Sequence, residues 1–154
     1  MKTSPLQCVV DASVGIKLFV VEDLSEKKHA LFAHLAAEPP AQLYVPDLFF
    51  IECTNILWKY VRRFDYPADK ASKNLMNLEK LALQRIPTSD LMVGALDIAV
   101  SHTISAYDAC YVALAQRLNV PLVTADEKLI NTLANSIYTV RWLGDFPIPS
   151  KNDK

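Results

Sequence analysis

Short apolar runs alternate along this chain with longer stretches in which apolar residues return every three or four positions. "CVV" at 8–10 and "VPLVTAD" at 120–126 are β-branched and apolar, the pattern of buried strands. "QLYVP" (42–46) reads as another strand, "RIP" as a short one and "IYTVRWL" (137–143) as the last. Between them the spacing predicts helices. "SVGIKLFV" is a short one that Gly15 weakens. "SEKKHALFAHLAA" (25–37) has a serine cap, apolar residues at 31, 32 and 35, and a stop at Pro39–Pro40. "DLFFIECTNILWKYVRRF" starts from Asp47 as its cap and is apolar at 48, 51, 56, 57, 60, 61 and 64. "PADKASKNLMNLEKLAL" (67–83) opens with a proline at a favourable first-turn position. "SDLMVGALDIAVSH" (89–102), "SAYDACYVALAQRLN" (105–119, capped by Ser105) and the short "DEKLINTLA" complete the set.

Strands that alternate with helices imply an α/β fold with parallel pairing, because parallel strands need crossover connections. In open sheets of that kind, sites form outside the carboxyl ends of the strands. Asp11 and Asp126 both follow predicted strands directly.

A length of 154 residues fits one domain, expected over 1–146, with "DFPIPSKNDK" ending in a loose tail at 147–154. The 51% hydrophobic fraction can fill a real core, and no apolar run approaches a membrane span. "MKTSPLQC" has no apolar signal region, so a cytoplasmic protein is expected. Cys8, Cys53 and Cys110 have neither disulfide nor zinc spacing and read as core residues. With three glycines there is no phosphate-cradling loop, and a net charge of −1 excludes binding nucleic acid through a global positive field.

Two further acids interrupt apolar helix faces, Glu52 in "FFIECTNIL" and Asp108 in "SAYDACYVALA". Such positions cost desolvation energy unless a cation or hydrogen-bond donors offset it. Each acid also has a plain structural reading. Asp11 and Asp126 can cap the helices after them, and Asp108 gains from the helix dipole. Glu52 is the hardest to account for in that way, and Asn55 lies one turn on along the same face. Should the four converge, they require a counterion. Oxygen ligands without histidine or cysteine suit Mg²⁺ or Mn²⁺, ions that support phosphodiester cleavage.

The series "VVDAS", "FIECTNIL", "SAYDACYVALA" and "LVTADEKL" resembles the PIN-domain ribonucleases, closest to the VapC-type toxins of prokaryotic toxin–antitoxin pairs. The resemblance spans roughly residues 8–143, and "YDACYVALA" followed by "VTADEKL" is its most specific part. It implies a three-layer α/β/α sandwich around a short central parallel sheet. It further implies an acidic quartet, Asp11, Glu52, Asp108 and Asp126, holding one or two Mg²⁺ or Mn²⁺ ions that activate water against single-stranded RNA. Ser13, Asn55 and Thr124 would fix the carboxylates. A homodimer formed by the early helices and a small antitoxin partner are implied as well.

Lys17 and Lys128, near the acids, are candidate RNA-phosphate contacts, as are Lys59, Arg62 and Arg63 on one helix face, though a solvated basic face is the commoner meaning. Trp58, Tyr60, Phe64 and Tyr66 suit core, interface or base stacking. His29, His34 and His102 lack ligand spacing. Alternatives are an RNA-processing nuclease without a toxin role and a non-catalytic scaffold of the same fold. A phosphoacceptor receiver is disfavoured, because "VVDAS" has one acid where a receiver needs two.

Overall fold

The computed structural model describes residues 5–16, 25–37 and 39–146. Within them, β1 (Gln7–Val10), β2 (Gln42–Pro46), β3 (Gln84–Ile86), β4 (Leu122–Thr124) and β5 (Val140–Trp142) form one sheet in the order β3-β2-β1-β4-β5. Every neighbouring pair is parallel. Helices fill the connections: α1 (Ala12–Ile16) and α2 (Ser25–Ala33), α3 (Leu48–Phe64) and α4 (Ala68–Glu79), α5 (Met92–His102) and α6 (Ala106–Leu118), then α7 (Glu127–Leu133). Cys8, Val9 and Val10 are all buried, and so are Leu122, Val123 and Thr124. Successive strand residues point to opposite faces, so a strand buried throughout must be covered on both. The result is the three-layer α/β/α sandwich with a short central parallel sheet.

Local details depart from the sequence pattern for identifiable reasons. The expected helix over 67–83 stops at Glu79, since Gln84 must already pair with Tyr44 and the intervening residues turn the chain into β3. The expected helix over 89–102 is divided into a 3-10 turn at Thr88–Leu91 followed by α5. Asp47 stands at the start of α3 but does not cap it with its side chain. Its carboxylate accepts instead from the backbone N–H and the hydroxyl of Thr88. The Thr88 hydroxyl in turn accepts the N–H of Leu48 at 3.0 Å, so the cap is supplied from the far end of β3. Ser105 does cap α6, accepting the N–H of Asp108 at 3.0 Å. The first predicted helix is described only through Ile16; its later residues, including Lys17, and the tail at 147–154 lie outside the described residues.

Gly15 serves packing. A Cβ placed there would meet Phe49 Cζ at 2.6 Å, so its absence lets α1 press against α3. That contact sets the distance between the end of β1 and the helix that carries Glu52.

The sheet order places the candidate acids. β1 and β4 are adjacent, with Val10 opposite Val123. From β1 the chain crosses towards β2 and from β4 towards β5, in opposite directions along the sheet. Reversal of this kind opens a crevice outside the carboxyl ends of the two strands. Asp11 is the first residue after β1, and Asp126 follows β4 by two.

Candidate active site

Asp11 is 5% exposed, and its carboxylate is held at both oxygens. Ser13 Oγ donates to Oδ1 at 2.5 Å and Thr124 Oγ1 donates to Oδ2 at 2.5 Å. The two hydroxyls are themselves oriented, because Ser13 Oγ accepts the N–H of Ala125 at 3.0 Å and Thr124 Oγ1 accepts that of Asp126 at 3.1 Å. Backbone on one strand end thus aims the hydroxyls that aim the carboxylate on the other. Asp11 also accepts the N–H of Val14 at 3.3 Å, the capping role its position allows.

Glu52 enters from α3, half-buried, and accepts the phenol of Tyr111 through Oε1 at 2.6 Å. Tyr111 is only 1% exposed and belongs to α6, whose contacts with β1, β2 and β4 seat it on the sheet. Sequence reasoning missed it. In the apolar run "ACYVALA" a tyrosine passes for core, yet a buried phenol needs a partner, and its place one turn after Asp108 points it towards the acids.

Asp108 lies in the first turn of α6 and Asp126 caps α7, accepting the N–H groups of Lys128 and Leu129 at 3.0 and 3.3 Å. Asp108 and Asp126 line one cleft of about 280 Å³ together with Lys128. The capping readings are therefore true of Asp11 and Asp126, but they do not exhaust either residue.

The acids act on one another. Burial pushes the Asp11 carboxyl up to about 6, against the bonds from Ser13, Thr124 and Val14, and the charge of Asp108 adds to the rise. Burial and Asp108 likewise raise Glu52, opposed by the Tyr111 hydrogen bond. Asp108 is itself raised by burial and by Asp126. The buried thiol of Cys53, raised chiefly by desolvation, is raised further by Glu52 and Asp11. Asp108 thus acts on both Asp11 and Glu52, and among the described residues no lysine or arginine is among the groups shifting these three carboxyls. Among the described residues, no three acids stand close enough to share one ligand shell as they are. The donor set, oxygen only and mutually repelling, fits a hard divalent cation.

The remaining candidates divide. Ser13 and Thr124 fix a carboxylate directly. Asn55 is exposed, is hydrogen-bonded to none of the acids among the described residues, and lines a groove with Glu52 and Lys59. Arg62 lies over the Trp58 ring at 5.0 Å, while Tyr60 packs on Phe64 and Tyr66. Arg63 is exposed on the same helix. His34 and His102 stack edgewise on Phe146 and Tyr138, and the three cysteines are buried free thiols.

The family model described as PIN domain matches residues 8–134. Ribonuclease VapC3 of Pyrobaculum aerophilum is 35% identical over 126 residues, covering 80% of this chain and 92% of the relative. Ribonuclease VapC9 of Mycobacterium tuberculosis is 34% identical over 124 residues, covering 80% and 89%. Among solved structures, a toxin–antitoxin complex from Klebsiella pneumoniae shares the fold with a TM-score of 0.60 at 21% identity, covering 86% of this chain and 94% of that one.

Proposed function

Since the chain belongs to the PIN-domain family, we propose that it is a Mg²⁺- or Mn²⁺-dependent endoribonuclease of the cytoplasm, the toxin of a toxin–antitoxin pair. The observation that carries the chemistry is the buried Asp11 carboxylate at the end of β1, held at both oxygens by Ser13 and Thr124, with Asp126 anchored to the same Thr124 hydroxyl. Asp11, Glu52, Asp108 and Asp126 would hold the ion or ions. Such a cation supplies an activated water and stabilises charge developing on the phosphate. Asp11 arrives pre-aimed by Ser13 and Thr124, which fixes the plane of that carboxylate. Glu52 is committed at Oε1 to Tyr111. Its Oε2 would be the oxygen left to hold the ion and orient the water that the ion activates. Lys128, beside Asp108 and Asp126, steadies a phosphate oxygen.

The toxin role is supported by the names of the relatives and by a fold neighbour described as a toxin–antitoxin complex. Exposed apolar side chains supply surface for an antitoxin and for a homodimer: Trp58 and Phe64 on α3, and Met92, Val93, Leu96 and Val100 on α5. Among the described residues, no helix is long and apolar enough to cross a membrane.

The test compares RNA cleavage by the wild type and by Asp11→Asn across a Mg²⁺ and Mn²⁺ titration with an EDTA control. Metal-dependent cleavage that the folded variant lacks, by at least about a hundredfold, supports the reading. No cleavage by wild type, and no rise in melting temperature with Mn²⁺, would leave a non-catalytic scaffold.

A further inference from the structure

We propose that the groove beside Glu52 is a nucleotide subsite, in which Tyr107 is the stacking platform for the base next to the scissile phosphate. The proposal rests on the ribonuclease reading above.

The groove, of about 390 Å³, runs along α3 and is closed by the start of α6. Glu52, Asn55 and Lys59 follow one another at helical spacing along its α3 wall, and Ile51 and Tyr107 also line it. Glu52 belongs to both the acidic centre and the groove, so a chain held by the acids would continue into this space. Along that path the chemistry changes from carboxylate to amide to ammonium, in the direction a phosphate-bearing strand would follow as it leaves the metal site. Asn55 offers both donors and an acceptor, and it spends neither on the carboxylates.

Tyr107 precedes Asp108 and is 65% exposed; Ile51 is 66% exposed. The other aromatics of this region do not line the groove and have partners: Trp58 lies beneath Arg62, Tyr60 packs on Phe64 and Tyr66, and the phenol of Tyr111 belongs to Glu52. No ring contact or hydrogen bond engages Tyr107 among the described residues, which leaves its exposed ring surface available for stacking. Single-stranded RNA is read by unstacked bases that lie on aromatic side chains and are hydrogen-bonded at their edges. An open ring, an adjacent amide and a lysine beside a cleavage centre supply each part. Ile51 would extend the apolar surface under the base. A protein partner would also cover apolar surface, but it would not require the amide and the ammonium in line with the acids.

The experiment uses wild type, Tyr107→Ala and Tyr107→Phe. With Mn²⁺, cleavage of a random-sequence RNA pool is mapped by sequencing the new ends, and kcat and KM are measured on one cleaved oligonucleotide. In EDTA, stacking is followed by the fluorescence of single-stranded RNA carrying 2-aminopurine. Tyr107→Ala is expected to raise KM about tenfold, the order expected for the loss of one base–aromatic stack. It should leave kcat within about threefold, flatten base preference at one position beside the cut and abolish quenching. Tyr107→Phe keeps the ring and should behave as wild type. A folded Tyr107→Ala protein with wild-type KM and base preference would overturn the proposal and return the groove to a protein partner. A fall in kcat alone would overturn it too. If wild type cuts nothing yet quenches 2-aminopurine through Tyr107, the subsite stands and the nuclease reading fails; if it does neither, both fail.

Discussion

Thr124 Oγ1 donates to Asp11 Oδ2 across 113 residues of sequence, joining the carboxyl ends of two adjacent strands. The same oxygen accepts the N–H of Asp126, so one buried hydroxyl relates two acids of the quartet. Ser13 repeats the device on the other Asp11 oxygen, with Ala125 as its backbone anchor. Both hydroxyls spend their hydrogens on the carboxylate and their lone pairs on the backbone, which fixes the carboxylate plane before any cation arrives.

Thr124→Val keeps the shape of the residue and removes the hydroxyl. It leaves the buried Asp11 Oδ2 and the part-buried N–H of Asp126 without their partner. The expected effect is a loss of about 10–100-fold in Mn²⁺ affinity or cleavage rate, with stability lower by about 1–3 kcal/mol. A Mn²⁺ titration of melting temperature and of rate checks both. Unchanged midpoints would show that the hydroxyl does not position the acid.

Tyr111→Phe removes the donor to Glu52 Oε1 while preserving the buried ring. That bond holds the Glu52 carboxyl down against burial and Asp108, so losing it sends the carboxyl higher. The acid limb of the pH–rate profile should move to higher pH, and cleavage near neutrality should fall by about tenfold. A fall in rate at every pH with no displacement of the limb would assign Tyr111 a packing role only.

Asp11 makes stability depend on pH in a direction opposite to a salt-bridged acid. Its carboxyl is raised from 3.8 to about 6 in the folded chain, so between these values the native state holds a proton that the unfolded state has released. Stability therefore falls as pH rises through that window, by roughly 2–3 kcal/mol for this group, and stays lower above it. Asp11→Asn removes the group. In EDTA the variant should melt close to wild type near pH 4 and several degrees above it at pH 7, and Mn²⁺ should close the gap by stabilising wild type alone. A gap that does not change with pH would contradict the shift.

Gly15→Ala inserts a methyl group where Phe49 Cζ and Cε2 stand 2.6 and 2.9 Å from the new carbon. Phe49 is fully buried, so its ring or the α1–α3 contact must give way. Overpacking of this kind is expected to lower stability by about 1–3 kcal/mol. Since α3 carries Glu52, cleavage should fall further than melting predicts. A full-length variant with wild-type melting and rate would show that the contact yields without consequence.

Much of this was legible from local pattern. The strand "QLYVP" coincides with β2, Ser105 caps α6, and Asp11 and Asp126 stand just beyond strand ends, because period, propensity and capping act over a few residues. Asp47 misled because a capping residue was judged by its neighbours, whereas Thr88, 41 residues away, competes for its carboxylate. The resemblance gave Asn55 a supporting role beside Glu52, and the spacing that set the two on one face is met in the groove that both line.

What the sequence determined by itself was which residues bear charge or apolar surface and in what order helices and strands follow, and with them the four acids that motif order singled out. Tertiary structure alone decided that Asp11 and Asp126 are tied to one hydroxyl, that of Thr124, since that depends on β1 pairing with β4 and on the chain reversing there. It also made Tyr111 the partner of Glu52 and left Tyr107 open beside it, although both belong to one helix. The reason is physical: propensity is a property of neighbours in the chain, whereas desolvation and repulsion among carboxylates depend on distance in space, which packing alone sets.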